Sequence, residues 1–242
     1  MTVRVYAADL HVHTCLSPCA DEEMSPRNIV RTALETSVDI IAVTDHNSGK
    51  NARALMEAAI DLPLTVIGGM EVQSREEVHL LSLFGSVEIL EEWDTFIYEH
   101  LPDVRNDPEV FGYQPIVDKE GYIVRFEEKL LINSLDLSLE EVIKGVANRN
   151  GICIPAHVDR EAFSIIGQLG YIPPDLPLAA VEITGAQRDM VPERYEVVTA
   201  SDAHFLREVG TKRTLFLLEA PTLEEIHLSL KKEGGRHITE LS

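Results

Sequence analysis

The chain has 242 residues, 45% of them hydrophobic, enough apolar material for one large α/β domain spanning 1–242. Its 41 acidic and 21 basic side chains leave a formal charge of −20, which argues against broad, non-specific nucleic-acid binding. No apolar run approaches the roughly 18 residues of a membrane span, the N-terminal stretch has no signal-peptide pattern, and Cys15, Cys19 and Cys153 make no disulfide framework. A cytoplasmic protein with no membrane partner is expected.

In chain order, residues 3–9 alternate as a first strand. Ser25 then Pro26 gives an N-cap followed by a proline at the first helical position, opening a helix to about 36. Residues 39–44 form a near-continuous apolar run, the mark of a strand buried on both faces. A helix over 51–60 and strands over 64–72 and 78–84 follow. Residues 88–136 break the rhythm with scattered prolines, acids and the single tryptophan, and read as an insertion or lid whose 121–126 stretch is a hairpin arm.

Ser138 and Glu141 then form a capping box before a helix ending near 150–151. Strands are expected over 152–157, 180–184, 197–201 and 214–218. A second capping box, Thr222 with Glu225, opens a last helix that stops at Gly234 and Gly235. This alternation predicts βα units around a largely parallel sheet.

Metal-type side chains recur where these strands end or begin. His11 and His13 close the first strand, and residues i and i+2 of an extended segment share a face. His46 follows the second strand, Glu71 sits at the end of the third, and His79 opens the fourth. His157, Asp202 and His204 close two later strands. A lone His-x-His has only about a one in ten chance of marking a metal site. A single strand-end histidine is more often structural. The joint pattern changes this, because structural histidines have no reason to gather at strand ends. Strand C-termini in α/β barrels share one rim, so distant residues converge there. Imidazole with carboxylate is the ligand set for zinc, iron or manganese.

Cys153 lies in an apolar strand and reads as core. Cys19 lies in the turn after His13, where a thiolate suits a borderline metal, and Asp21 competes for the same place. His100, His227 and His237 read as ordinary surface residues. Asn47 and Ser48 read chiefly as turn residues.

At these positions the sequence resembles the polymerase-and-histidinol-phosphatase (PHP) superfamily, through DLHVHT (9–14), VTDHNS (43–48), GGMEV (68–72), EVHLLSLF (77–84), PAHVDR (155–160) and SDAH (201–204). The resemblance implies a distorted seven-stranded (β/α) barrel with two or three divalent ions at its C-terminal rim. It places His11, His13, Glu71 and Asp202 on one ion. His46 and His204, with Cys19 or Asp21, fall on a second; Glu71 bridges to a third with His79 and His157. The implied reaction is hydrolysis of a phosphate ester by a metal-bridging hydroxide, with His11, His13, Glu71, Asp202 and His204 at its centre. Arg160 is the candidate phosphate clamp, with a surface ion pair as the competing reading. The expected partner is a small phosphorylated molecule, a nucleotide or one like histidinol phosphate. The insertion tilts the expectation toward nucleotides, as in relatives that carry one.

Two other readings compete. An amidohydrolase also begins with His-x-His but commonly bridges its metals through a carbamylated lysine, and Lys50 and Lys119 lie in poor contexts for that role. A non-catalytic metal-binding module keeps the ligands without turning over substrate.

Overall fold

The computed structural model describes residues 2–185 and 188–241. Strand β1 (Arg4–Val12) is exposed for two residues and buried thereafter. Proline opens α1 (Pro26–Glu35), and β2 (Ile40–Val43) is buried throughout. The helix α2 (Ala52–Ala58) leads to β3 (Thr65–Gln73), which turns directly into β4 (His79–Phe84). Then come α3 (Val87–His100), the short α4 (Pro108–Phe111), and the paired β5 (Pro115–Val117) and β6 (Ile123–Phe126). The capping box of Ser138 and Glu141 is formed at α5 (Leu139–Ala147), which is followed by β7 (Ile152–Pro155) and α6 (Ile165–Leu169). The chain ends with the parallel pair β8 (Ala180–Glu182) and β9 (Glu196–Val198), then β10 (Thr214–Leu218), α7 (Leu223–Leu230) and β11 (His237–Leu241).

Seven strands form one curled sheet in the order β11-β10-β1-β2-β3-β4-β7, with β8 and β9 as a separate pair. This corrects two expectations. The barrel is an open, curled sheet rather than a closed one, and it is mixed. Only the β1–β2 and β2–β3 pairings within it are parallel; β4 lies antiparallel to both β3 and β7, and β10 is antiparallel to β1. A buried strand has the same apolar pattern in either direction. The five residues between β3 and β4 are too few for the crossover that parallel strands require.

One face of the curl carries Ala8, Leu10, Ile40, Ala42, Leu81, Ile154 and Phe216, a core joined by Val198 of β9 and by Leu223, Ile226 and Leu230 of α7. The other face packs against α1, α2, α3 and α5. Residues 87–100, expected as part of an irregular insertion, are the regular helix α3, whose Leu90, Trp93 and Ile97 are buried at helical spacing. A Cβ on Gly145 of α5 would stand 2.7 Å from the Trp93 ring, so this glycine lets the two helices close together.

The hairpin arm exists as β6, but the segment after α3 is lashed to the site loop. Asn47, at a left-handed φ of 44°, donates from Nδ2 to the carbonyls of Leu131 (2.7 Å) and Asn133 (2.8 Å). Asn51 bonds to Pro115 and Val117, and Lys50 pairs with buried Glu127. The last helix ends at Leu230, before the glycines, because the chain needs 231–236 to turn into the unforeseen edge strand β11.

Candidate metal centre

The side chains singled out above meet at one end of the curled sheet. His11 lies on β1 and His13 just beyond it; Glu71 lies on β3; His79 opens β4 beside the β3 residue Gln73. A bridge between His46 and Glu71 extends the β2–β3 pairing, which holds His46 against the carboxylate. His157, Asp202 and His204 come from loops following β7 and β9, and the second loop is stitched to β1 through His13 N–H to Ala203 carbonyl (3.0 Å).

Glu71 is the centre of the arrangement. One of its oxygens lies 2.8 Å from His79 Nδ1, 3.2 Å from His157 Nε2 and 3.3 Å from His11 Nε2. The other lies 3.0 Å from His46 Nδ1 and 3.4 Å from His13 Nε2. Asp202 approaches His11 and His13 Nε2 at 3.2 and 3.3 Å, and those two nitrogens are themselves 3.1 Å apart. Five imidazole nitrogens thus face a carboxylate with about four lone-pair sites. Protons alone cannot satisfy nitrogens that also face one another, whereas cations among them can. Among the described residues, three overlapping groups bring ligand atoms within 4.8 Å of one another: His11, His13 and Asp202; His13, His46 and His204; and His46, Glu71 and His79. The donor set, imidazole and carboxylate, fits zinc, iron or manganese.

Electrostatics follow from this crowding. Burial pushes the Glu71 carboxyl up, but His79, His11 and His46 hold it well below the usual carboxylate range. Asp202 is likewise held low by His11 and His13 against its burial. Burial disfavours a charged His11, yet Asp202, Glu182 and Glu71 raise it well above the ordinary histidine value. His13 moves the other way, lowered by burial and by its neighbour His204. The two imidazole rings lie stacked with centroids 4.1 Å apart.

The loop after His13 brings the Cys19 thiol, and not the Asp21 carboxylate, to the His46 and His204 imidazoles; Asp21 meets His204 only through its backbone N–H. Burial raises the Cys19 thiol, but hydrogen bonds with His204 and His46 outweigh it and pull the value down to about 6. Burial alone pushes Cys153 up to about 12, and burial is the main cause of the same shift at Cys15. Asp21 instead accepts the Glu23 N–H at 2.8 Å in a local turn. Arg160 Nη1 pairs with the largely buried Asp202 at 2.7 Å, and its half-exposed side chain borders the same cavity as the metal-type ligands. None of His100, His227 and His237 joins the cluster; His100 bonds to Asp136.

Three supporting groups were not expected. Glu182, fully buried at the end of β8, accepts from His11 Nδ1 at 2.9 Å. Ser17 bonds to His13 Nδ1 at 2.9 Å and donates to Asp45, while Gln73 faces His79 Nε2 at 3.1 Å. Such partners fix the orientation of a ligating imidazole and raise its basicity. Glu182 could have been found by the rule that found Glu71, a carboxylate at the end of an apolar strand.

Imidazole and carboxylate groups gathered at one end of a curled α/β sheet define a candidate metal centre. The chain belongs to the PHP domain family, whose model matches residues 9–162, and a PHP-associated model matches 194–233. The lesion-specific endonuclease PfuEndoQ from Pyrococcus furiosus superposes with a TM-score of 0.74 at 20% identity, over 98% of this chain and 58% of that one. Endonuclease Q is also known in complex with a 27-mer duplex bearing an abasic lesion at the active site, and matches equally well (TM-score 0.74). A protein from Bifidobacterium adolescentis assigned as a metal-dependent phosphoesterase gives 0.55 at 18% identity, over 93% of this chain and 96% of that one. In sequence, an uncharacterized protein of Methanocaldococcus jannaschii is 29% identical over 77 residues, 28% of this chain and 45% of that protein. The chain therefore spans little more than half of endonuclease Q and less than half of the archaeal relative. Among the described residues no helix is long and apolar enough to cross a membrane.

Proposed function

We propose that the chain is one catalytic unit of a metal-dependent phosphoesterase, acting in the cytoplasm on phosphate esters of nucleotides. The observation that carries this is the convergence of five histidine nitrogens on Glu71 beside Asp202. In this reading His11, His13, Glu71 and Asp202 hold one ion, His46, His204 and Cys19 a second, and Glu71, His79 and His157 a third. Zinc, iron or manganese bound there supplies Lewis acidity toward phosphoryl oxygens and a water acidic enough to attack near neutral pH. The protein's own contribution is orientation. Glu182 holds the His11 ring, Ser17 with Asp45 holds the His13 ring, and Arg160 is placed to exchange Asp202 for a phosphate oxygen by a parallel pair of hydrogen bonds. The segment after α3 braces the His46 loop through Asn47 and Asn51.

The likeness to endonuclease Q supports a wider substrate range than a small phosphomonoester, with the phosphodiester of a nucleic-acid strand included. A net charge of −20 does not oppose this locally, because bound cations invert the field where the phosphate enters. The lysines weigh against the amidohydrolase reading: Lys50 is paired with Glu127 and lies over the Tyr98 ring, and Lys119 is exposed.

The test is to load the protein with zinc, iron or manganese and assay a panel of phosphomonoesters, nucleotides and short oligonucleotides. We expect about two to three equivalents of bound metal and hydrolysis that chelation abolishes. Full metal occupancy without turnover of any phosphate ester would return the chain to the non-catalytic module.

A further inference from the structure

The loop from β7 to α6 passes through left-handed backbone at two non-glycine residues, His157 (φ 34°) and Phe163 (φ 56°). Such a conformation is uncommon for a bulky side chain and persists only where the surroundings enforce it. They do so at Phe163. Its carbonyl accepts the His79 N–H at 2.9 Å. The next residue, Ser164, accepts the Gly167 N–H at 2.9 Å and donates to the Arg160 carbonyl at 2.6 Å. A Cβ on Gly167 would stand 2.2 Å from the Glu161 carbonyl oxygen, so the loop is closed tightly onto the first turn of α6.

This geometry fixes an aromatic ring at the mouth of the site. The Phe163 ring lies nearly parallel to the His79 imidazole, with centroids 4.9 Å apart and planes 16° apart, yet Phe163 remains 42% exposed. It borders the cavity that holds Glu71, His157 and Asp202, together with Arg160 three positions earlier on the same loop. Stacking on His79 uses only one face of the ring and leaves the other free. The cavity measures about 380 Å³, within the range of small-molecule sites. It has anion-seeking groups at its floor and side, and an apolar plane at its mouth.

We propose that Phe163 is the platform on which a planar ring of the substrate stacks, making the site selective for phosphate esters whose alcohol part carries an aromatic base. The inference rests on the phosphoesterase reading and adds its specificity residue. Stacking on a phenyl face is tolerant of base identity, so purine and pyrimidine nucleotides are accepted with modest differences.

The test uses the metal-loaded full chain and two non-hydrolysable ligands, the methylene phosphonate analogues of AMP and of ribose 5-phosphate, which differ only in the base. Calorimetry on the wild-type protein should show the adenine analogue binding about 5- to 150-fold more tightly. Phe163→Ala should remove that preference, leave the ribose analogue unchanged and keep the full metal content. Phe163→Trp should restore the preference and give an emission that the adenine analogue quenches and the ribose analogue does not; the chain's single tryptophan, Trp93, is fully buried. Equal weakening of both ligands in Phe163→Ala would mean that the ring only braces His79, and the platform is refuted. Wild-type protein that binds the two ligands equally also refutes it, with the phosphate site standing. Binding of neither ligand by metal-replete protein removes the phosphoesterase reading and the platform with it.

Discussion

The floor and the rim of the site are built on different terms. On the floor, His11, His13, Glu71 and His157 are at most 2% exposed, and three of the four lie on or next to strands. Partners stand behind them, as Glu182 stands behind His11 and Ser17 behind His13. At the rim, Cys19, Arg160 and Phe163 come from loops and retain contact with solvent. A floor group that loses its partner cannot turn to water, so its loss is felt as an uncompensated buried charge or donor. A rim group can rehydrate. Metal retention is therefore expected to depend on the floor, and the identity of what binds on the rim.

The largest effect expected from this division is at Glu71. Glu71→Gln should lose at least one ion and slow turnover by roughly 10³-fold, because one neutralised oxygen leaves the surrounding cations repelling one another. Elemental analysis with kcat on the same preparation checks it. Near-normal turnover at full metal content would move the bridging role elsewhere.

Next is Glu182, the buried carboxylate behind His11. Glu182→Gln should keep the shape and weaken metal affinity about 10- to 100-fold, read by competition with a chelator. An affinity unchanged from wild type would mean that this carboxylate only fills space.

Cys19 tests where the floor ends. In zinc-loaded protein, X-ray absorption should show a sulfur scatterer at about 2.3 Å that vanishes in Cys19→Ser, with affinity for one ion falling about tenfold. Asp21→Asn should leave metal content unchanged, since that carboxylate serves the Glu23 amide. The reverse pattern would place Asp21 on the ion and make the site all nitrogen and oxygen.

The smallest effect is expected away from the metal-type ligands, where Glu127 pairs with Lys50. Burial raises the Glu127 carboxyl, but Lys50 and the backbone N–H groups of Glu128 and Lys129 outweigh it, so its folded pKa is depressed. A depressed carboxylate stabilises the fold above its unfolded value of about 4.3 and loses that contribution as pH falls through the folded value. Glu127→Gln should therefore cost about 1–2 kcal/mol in denaturant unfolding at pH 7, with the gap to wild type closing under acid conditions. A gap of the same size at every pH would show that packing, not charge, makes this contact.

Much of the floor is legible in the sequence alone. His11 and His13 were readable because a strand repeats every two residues, and His46, Glu71, His79 and His157 because each falls at the boundary of an apolar run. The capping box at Ser138 and the buried β2 were equally plain. Less legible was α3, whose acids and tryptophan looked like an irregular insertion although Leu90, Trp93 and Ile97 keep helical spacing. The edge strand β11 was hidden after two glycines.

What the sequence determined by itself is local: which side chains stand at which strand ends, and where helices start. Those follow from backbone period and capping chemistry within a few residues. Tertiary structure alone decided that β7 pairs antiparallel with β4, because a buried strand carries the same apolar run whether its neighbours are parallel or antiparallel. It alone joined His11 to Glu182 across 171 positions and chose Cys19 over Asp21 as the residue facing His46 and His204. It also placed the Phe163 ring at the mouth of the site. Each of these depends on how far the sheet curls and where its loops close, distances set by packing between segments remote in the chain.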